Sequence, residues 1–155
     1  MKRLTIFLVF SFIYGGLITP EDGATLNHIH VLFEWKQIPE ADHYQIQISD
    51  DSGFENPIVN TDDNTLVYIE NDALDWNSTY YWRTRPVFTS GSSGSWIDTF
   101  SFITGSSLSS TTTTIIDESQ NQSGLTVFGA FFNYFSAAVD QTGKEIWNSG
   151  DNDFV

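Results

Sequence analysis

Apolar and polar residues alternate with a period of two along most of this chain, and no long stretch carries the 3.6-residue repeat of an amphipathic helix. In "HIHVLFEW" (28–35) the residues Ile29, Val31, Phe33 and Trp35 fall on one face, and in "HYQIQIS" (43–49) Tyr44, Ile46 and Ile48 do the same. "NTLVYIE" (64–70), "STYYWRTRPV" (78–87) and "SWIDTFSFIT" (95–104) continue the series, separated by the turn-forming clusters "SDDSGFENP", "NDALDWN" and "TSGSSGS". Short strands at this spacing, with no helices between them, predict an all-β chain built as an antiparallel β-sandwich. Strand geometry then sends Tyr80, Trp82 and Thr84 to the interior and Tyr81, Arg83 and Arg85 to the solvent face. The arginine stems are expected to cover apolar surface and their heads to meet carboxylates on neighbouring strands, with substrate binding as the sharper alternative.

Composition limits what such a sandwich does. The 155 residues allow one domain of ordinary size and a remainder, and 40% hydrophobic with 15% aromatic residues is enough to fill a core. With no cysteine, there is no disulfide, thiolate metal site or cysteine nucleophile, so the fold holds by packing alone. Six Lys and Arg stand against 20 Asp and Glu, for a formal net charge of -14. Such a surface repels phosphate backbones and anionic lipid, which argues against nucleic-acid or peripheral membrane binding. Divalent cations fit the charge, and so does plain solubility of an exported protein.

The start, "MKRLTIFLVFSFIYGGLITP", has basic residues, an apolar run from Leu4 to Tyr14, then Gly15, Gly16 and Pro20, the layout of a secretory signal peptide over residues 1–19. The run is shorter than the roughly 20 apolar residues that a membrane anchor needs. No Ala-x-Ala cleavage site occurs, and Ile13-Tyr14-Gly15 is a weaker substitute. A secreted, periplasmic or cell-surface protein is expected, without stable membrane insertion after cleavage. Loss of Lys2 and Arg3 with the leader would leave four basic residues against 20 acidic ones, a net charge of -16.

Chemistry-bearing motifs are sparse. His28 and His30 share a strand face and His43 opens the next strand, a weak metal-ligand spacing that alternation places toward solvent. The Asp pairs at 50–51 and 62–63 fall in expected turns, where Asp bonds local backbone. No nucleophile elbow, phosphate loop or metalloprotease signature is present, so no catalytic, metal or cofactor residues are expected. Asn77-Ser78-Thr79 and Asn121-Gln122-Ser123 have the form of glycosylation acceptors.

Trp35, the following "EADHYQIQIS", Leu74 six positions before Tyr80, and "YYWRTRPV" together resemble a fibronectin type III domain, an immunoglobulin-like sandwich, over about residues 20–105. The Leu74-to-Tyr80 spacing is similar to that family's tyrosine corner. The resemblance implies a seven-stranded antiparallel β-sandwich with Trp35, Tyr44, Leu74, Tyr80 and Trp82 as core anchors, and a monomeric spacer or interaction module with no chemistry of its own. Thr84 departs from the apolar residue usual there.

After Thr104 the character changes: residues 106–123, with "SSLSSTTTT" and "DESQNQSG", read as an extended polar linker in which Ile115 and Ile116 are the sticking point. Residues 124–155 are again β in pattern, and "FSAAVD" and "KEIW" flank a "QTG" turn. The segment "AVDQTGKEIW" resembles a hairpin of secreted β-propellers of the quinoprotein-like and aryl-sulfate sulfotransferase kind, its short turn being closer to the latter. A propeller needs at least four blades of about 40 residues, so this segment is expected to be the truncated start of a second β domain, or else a tail docked on the sandwich. The cluster of Phe128, Phe131, Phe132, Tyr134 and Phe135 favours the first. The segment has no His or Arg onto which sulfotransfer residues could be carried.

Two functions follow as expectations: a non-catalytic module at the front of an exported protein, or the accessory front of an aryl-sulfate sulfotransferase-like enzyme. A third, adhesion to a protein or polysaccharide ligand, would rest on Trp76, Tyr81 and Trp96 if they are exposed.

Overall fold

A computed structural model describes residues 16–111, 114, 116, 117, 119, 120, 122–130 and 135–150. The apolar run of the leader, Ile115, Phe131, Phe132 and Tyr134 therefore lie outside the described residues. The strands, in chain order, are β1 (Leu17–Thr19), β2 (Ala24–Leu26), β3 (Val31–Trp35), β4 (Ala41–Ser49), β5 (Val59–Asp63), β6 (Val67–Glu70), β7 (Thr79–Phe88), β8 (Phe100–Thr104), β9 (Thr126–Ala130), β10 (Phe135–Val139) and β11 (Glu145–Asn148). A three-stranded sheet of order β1-β3-β6 faces a five-stranded sheet of order β2-β8-β7-β4-β5, and β9, β10 and β11 form a separate antiparallel meander. All pairings are antiparallel except β2 with β8.

The alternation read from the sequence sets the interior. Ile29, Val31, Phe33 and Trp35 from one sheet meet Tyr44, Ile46, Ile48, Tyr80, Trp82 and Phe102 from the other, all buried. Phe33 stands edge-on to Trp82 (centroids 5.1 Å) and to Phe102 (5.8 Å), and Trp35 edge-on to Tyr44 (5.6 Å). Edge-on pairs place the positive rim of one ring against the negative face of another and add to the area term. The two buried phenols also fix loops. Tyr80 Oη accepts the backbone N–H of Asp75 at 2.9 Å beside the buried Leu74, and Tyr44 Oη accepts that of Ile38 at 2.5 Å.

Eight strands make the sandwich where the family resemblance implies seven. The first run is interrupted at Pro20, which has no N–H to donate, and the turn from Glu21 to Gly23 hands the chain from one sheet to the other. Leu17 of β1 is buried opposite Trp35, so the sandwich begins upstream of residue 20. Asp62 and Asp63, expected in a turn, lie in β5, opposite Gln45 and Tyr44. Pairing with β4 overrides the low strand propensity of Asp, and acidic side chains on an edge strand discourage further pairing. The last sandwich strand begins at Phe100 rather than at residue 95. Ser95–Thr99 follows β7 through only isolated contacts such as Ile97 N–H to the Thr84 carbonyl at 2.8 Å.

The tail packs against the sandwich. Ile29 N–H donates to the Ile146 carbonyl and Asn148 N–H to that of Asn27, each at 2.9 Å. Ala138 and Ile146 join the sandwich core. The β10–β11 turn is held by the Asp140 carboxylate, which accepts the N–H groups of Thr142 (2.7 Å) and Lys144 (3.0 Å), and Gly143 takes a φ of +86° there.

Candidate functional site

Two built features stand out on this frame. The first is the outer face of the five-stranded sheet. Arg83 and Arg85 of β7 lie opposite Gln47 and Gln45 of β4, and all four side chains point away from the core. Gln47 Oε1 accepts both Nε (3.0 Å) and Nη2 (2.8 Å) of Arg83, and Gln45 Oε1 accepts Nε of Arg85 at 2.7 Å. Gln45 Nε2 in turn donates to Asn60 Oδ1 on β5 at 2.8 Å.

Aromatic rings complete the row. The Arg83 guanidinium carbon lies 3.9 Å from the Phe54 ring centroid and 4.3 Å from that of Trp96, and the Arg85 carbon lies 4.4 Å from Trp96. Each guanidinium is drawn to the negative face of a ring. Phe54 reaches its position from a strained turn with a φ of +54°, held by the Asp51 carboxylate, which accepts N–H groups from Gly53 (2.7 Å) and Glu55 (2.9 Å). Those bonds, Glu55's foremost, hold the Asp51 carboxyl below its ordinary pKa. Trp96 reaches the arginines because Gly94 lets its segment close on β7: an added Cβ would lie 2.7 Å from the Pro86 ring.

The expected pairing of these arginines with carboxylates is not what the structure shows. Among the described residues the contacts between basic and acidic side chains are His43 with Asp42 (2.9 Å) and Asp62 (3.9 Å), and Lys144 with Asp75 (3.1 Å). The arginines sit instead between amide oxygens and rings, because register sets Gln45 and Gln47 directly across from them. Burial, followed by repulsion from Arg85, lowers the pKa of Arg83.

The second feature is the junction between sandwich and tail. Glu145 opens β11 and is 4% exposed. Its Oε1 accepts Leu108 N–H (3.0 Å) and Asn148 Nδ2 (2.7 Å), and its Oε2 accepts Ser109 N–H (2.6 Å) and the Ser109 hydroxyl. Burial raises the Glu145 pKa, but these donors outweigh it and the net shift is downward. The Glu145 carbonyl accepts the Trp76 indole N–H at 2.7 Å, Asn148 Nδ2 also donates to the Ser106 carbonyl, and the Thr111 hydroxyl donates to the Gly143 carbonyl. The front of the expected linker is thus strapped beneath β11, while Ile116 is almost fully exposed.

These contacts place the residues named from sequence. Trp35, Tyr44, Leu74, Tyr80 and Trp82 are buried. Trp76 is half-buried against the core, and its N–H is engaged by the tail. Trp96 stacks with the arginines, and Tyr81 is half-buried two residues from Arg83 on the same face. The three do not converge on one platform: Trp76 belongs to the junction, Trp96 and Tyr81 to the outer face. His28 bridges to Trp147 of the tail and its pKa is lowered by burial, then by His30, so it is not the open solvent-face residue expected. Among the described residues no group of three or more His, Asp or Glu side chains is placed to hold a metal ion. His43 with Asp42, Asp62 and Asp63 lines an open acidic groove. Sequence reasoning missed Gln45, Gln47, Phe54 and Glu145. The two glutamines carry a signal, since each lies on the outward register of β4; the other two depend on loop paths.

No family model matches the chain, and no curated protein does. Two similar solved structures are α-L-rhamnosidases, one from Streptomyces avermitilis at 15% identity and one from Dictyoglumus thermophilum at 14%, each with a TM-score of 0.43. The matches cover 75% and 76% of this chain but only 12% and 15% of those enzymes, so the chain spans a small part of either.

Proposed function

We propose that this chain is a non-catalytic β-sandwich module of fibronectin type III kind that serves as a spacer or interaction unit in an exported protein and holds the segment after it in a fixed orientation. The observation that carries the reading is the junction at Glu145, whose buried carboxylate ties the connecting segment to β11 and whose backbone carbonyl accepts the indole N–H of Trp76 from the sandwich. A flexible connector would leave these polar groups in water. The strand order and the bond from Asp75 N–H to Tyr80 Oη support the family assignment. Nuclear spin relaxation on the full chain tests it. One rotational correlation time for amides of β4 and β11 is expected, whereas distinct times would remove the rigid spacer.

The three-stranded meander with its Asp140 turn favours a second reading, in which the chain is the front of an exported aryl-sulfate sulfotransferase-like propeller protein. Repeated Asp-x-x-Gly hairpins in the gene after Val155 would support it, and further sandwich modules would remove it. Under both readings the purified chain turns over no aryl sulfate, and activity that survives dialysis would contradict both.

A further inference from the structure

We infer that the outer face of the five-stranded sheet, at Arg83, Trp96 and Arg85, is a binding site for an oxyanion group, a carboxylate or sulfate carried by a small acidic ligand. Three observations lead there. First, in a chain with 20 acidic residues these two guanidiniums lack a carboxylate partner among the described residues, although they are neighbours on one strand face. Here Gln45 and Gln47 occupy the cross-strand positions, and an amide oxygen orients a guanidinium without cancelling its charge.

Second, both forks are held in place before any ligand arrives. Arg83 lies against Phe54 and Trp96 and is gripped through Nε and Nη2, and Arg85 lies against Trp96 and is gripped through Nε. Ordering such long side chains on binding costs entropy, and here the fold has already absorbed that cost. Third, no acceptor among the described residues takes Nη1 of Arg83 or either terminal nitrogen of Arg85. Those N–H groups lie in the plane of the guanidinium, where a flat carboxylate or one face of a sulfate accepts two at once.

The same contacts favour an anionic group over a neutral sugar, because two guanidiniums stand beside the Trp96 ring. They also argue against a long polyanion, which the net charge of -14 would repel beyond the immediate patch.

The test follows the side-chain Nε–Hε resonances of Arg83 and Arg85 and the Trp96 indole resonance in the full chain. Sodium acetate and sodium sulfate are titrated at constant ionic strength against sodium chloride. Saturating shifts confined to these resonances are expected with acetate and sulfate. Linear shifts matched by chloride would overturn the site. Arg85→Gln should weaken binding about tenfold or more, the loss of a charge-assisted pair. Arg85→Lys keeps the charge without the planar fork and should weaken it too; unchanged affinity in a folded R85K protein would mean diffuse charge attraction and would overturn the proposal. Galacturonate and N-acetylglycine then separate the sources: tighter binding of the first assigns the group to a sugar acid, and of the second to a peptide carboxylate.

Discussion

Thr84 sits in the middle of β7, opposite Ile46, with 0% exposure, and its hydroxyl has no hydrogen-bond partner among the described residues. A buried hydroxyl left without a partner costs about 1–3 kcal/mol. Thr84→Val replaces that hydroxyl with a methyl group of similar size, keeps the β-branch that suits a strand, and leaves the backbone bond from Ile97 to the Thr84 carbonyl intact. Some of the gain is lost to imperfect fit, so an increase of about 1–2 kcal/mol in unfolding free energy is expected, or about 3–8 °C in Tm for a chain of this size. Thr84→Ser is the control: it keeps the hydroxyl, removes the methyl and should lose about 1 kcal/mol. Urea unfolding followed by tryptophan fluorescence reads both. If T84V were destabilised by more than about 1 kcal/mol with an unchanged m-value, the hydroxyl would have to be satisfied in the folded protein, and the assignment of Thr84 as an unpaired polar residue in an apolar layer would be wrong.

Three further outcomes follow from the same contacts. Glu145→Gln turns one accepting oxygen into a donor facing Ser109 N–H and should cost about 1–3 kcal/mol by urea unfolding, with faster amide exchange at Leu108 and Ser109. Tyr80→Phe removes the acceptor for Asp75 N–H and should cost about 1–3 kcal/mol, measured the same way. For pH, burial and then the neighbouring Glu70 carboxylate push the Tyr68 phenol up to about 12. A raised folded value means a contribution present below the unfolded value of about 10 and lost as pH rises from there to 12. A phenolate titration at high pH should show one late tyrosine that Tyr68→Phe removes. The folded pKa values of Glu70 and Glu145 are lowered instead, so their contribution is present above the unfolded carboxylate range of about 4.3 and lost as pH falls through the folded values.

The core was legible because the period-two pattern is a direct record of strand faces: Trp35, Tyr44, Tyr80 and Trp82 could be assigned inward from alternation alone. Thr84 was visible as an anomaly for the same reason. The edges were not legible. Asp62 and Asp63 read as turn residues because local propensity says so, and only their pairing with β4 makes them strand. The arginines' partners were misread because nearest-charge reasoning ignores register, which puts Gln45 and Gln47 across the ladder, and ignores the loops that bring Phe54 and Trp96 over the sheet. Glu145 carries no sequence signal of burial. A Glu in "KEIW" looks solvated until the segment around Ser109 is known to pass over it.

Native-state hydrogen exchange at two amides tests the joining of sandwich and tail most directly. Ile29 N–H and Asn148 N–H are the backbone bonds that cross between the two parts. Protection of both at the level of Ile46, deep in β4, is the predicted result, since one cooperative body opens all three together. Exchange of Ile29 and Asn148 at loop-like rates, with Ile46 still protected, would show that the tail detaches freely and would contradict the account.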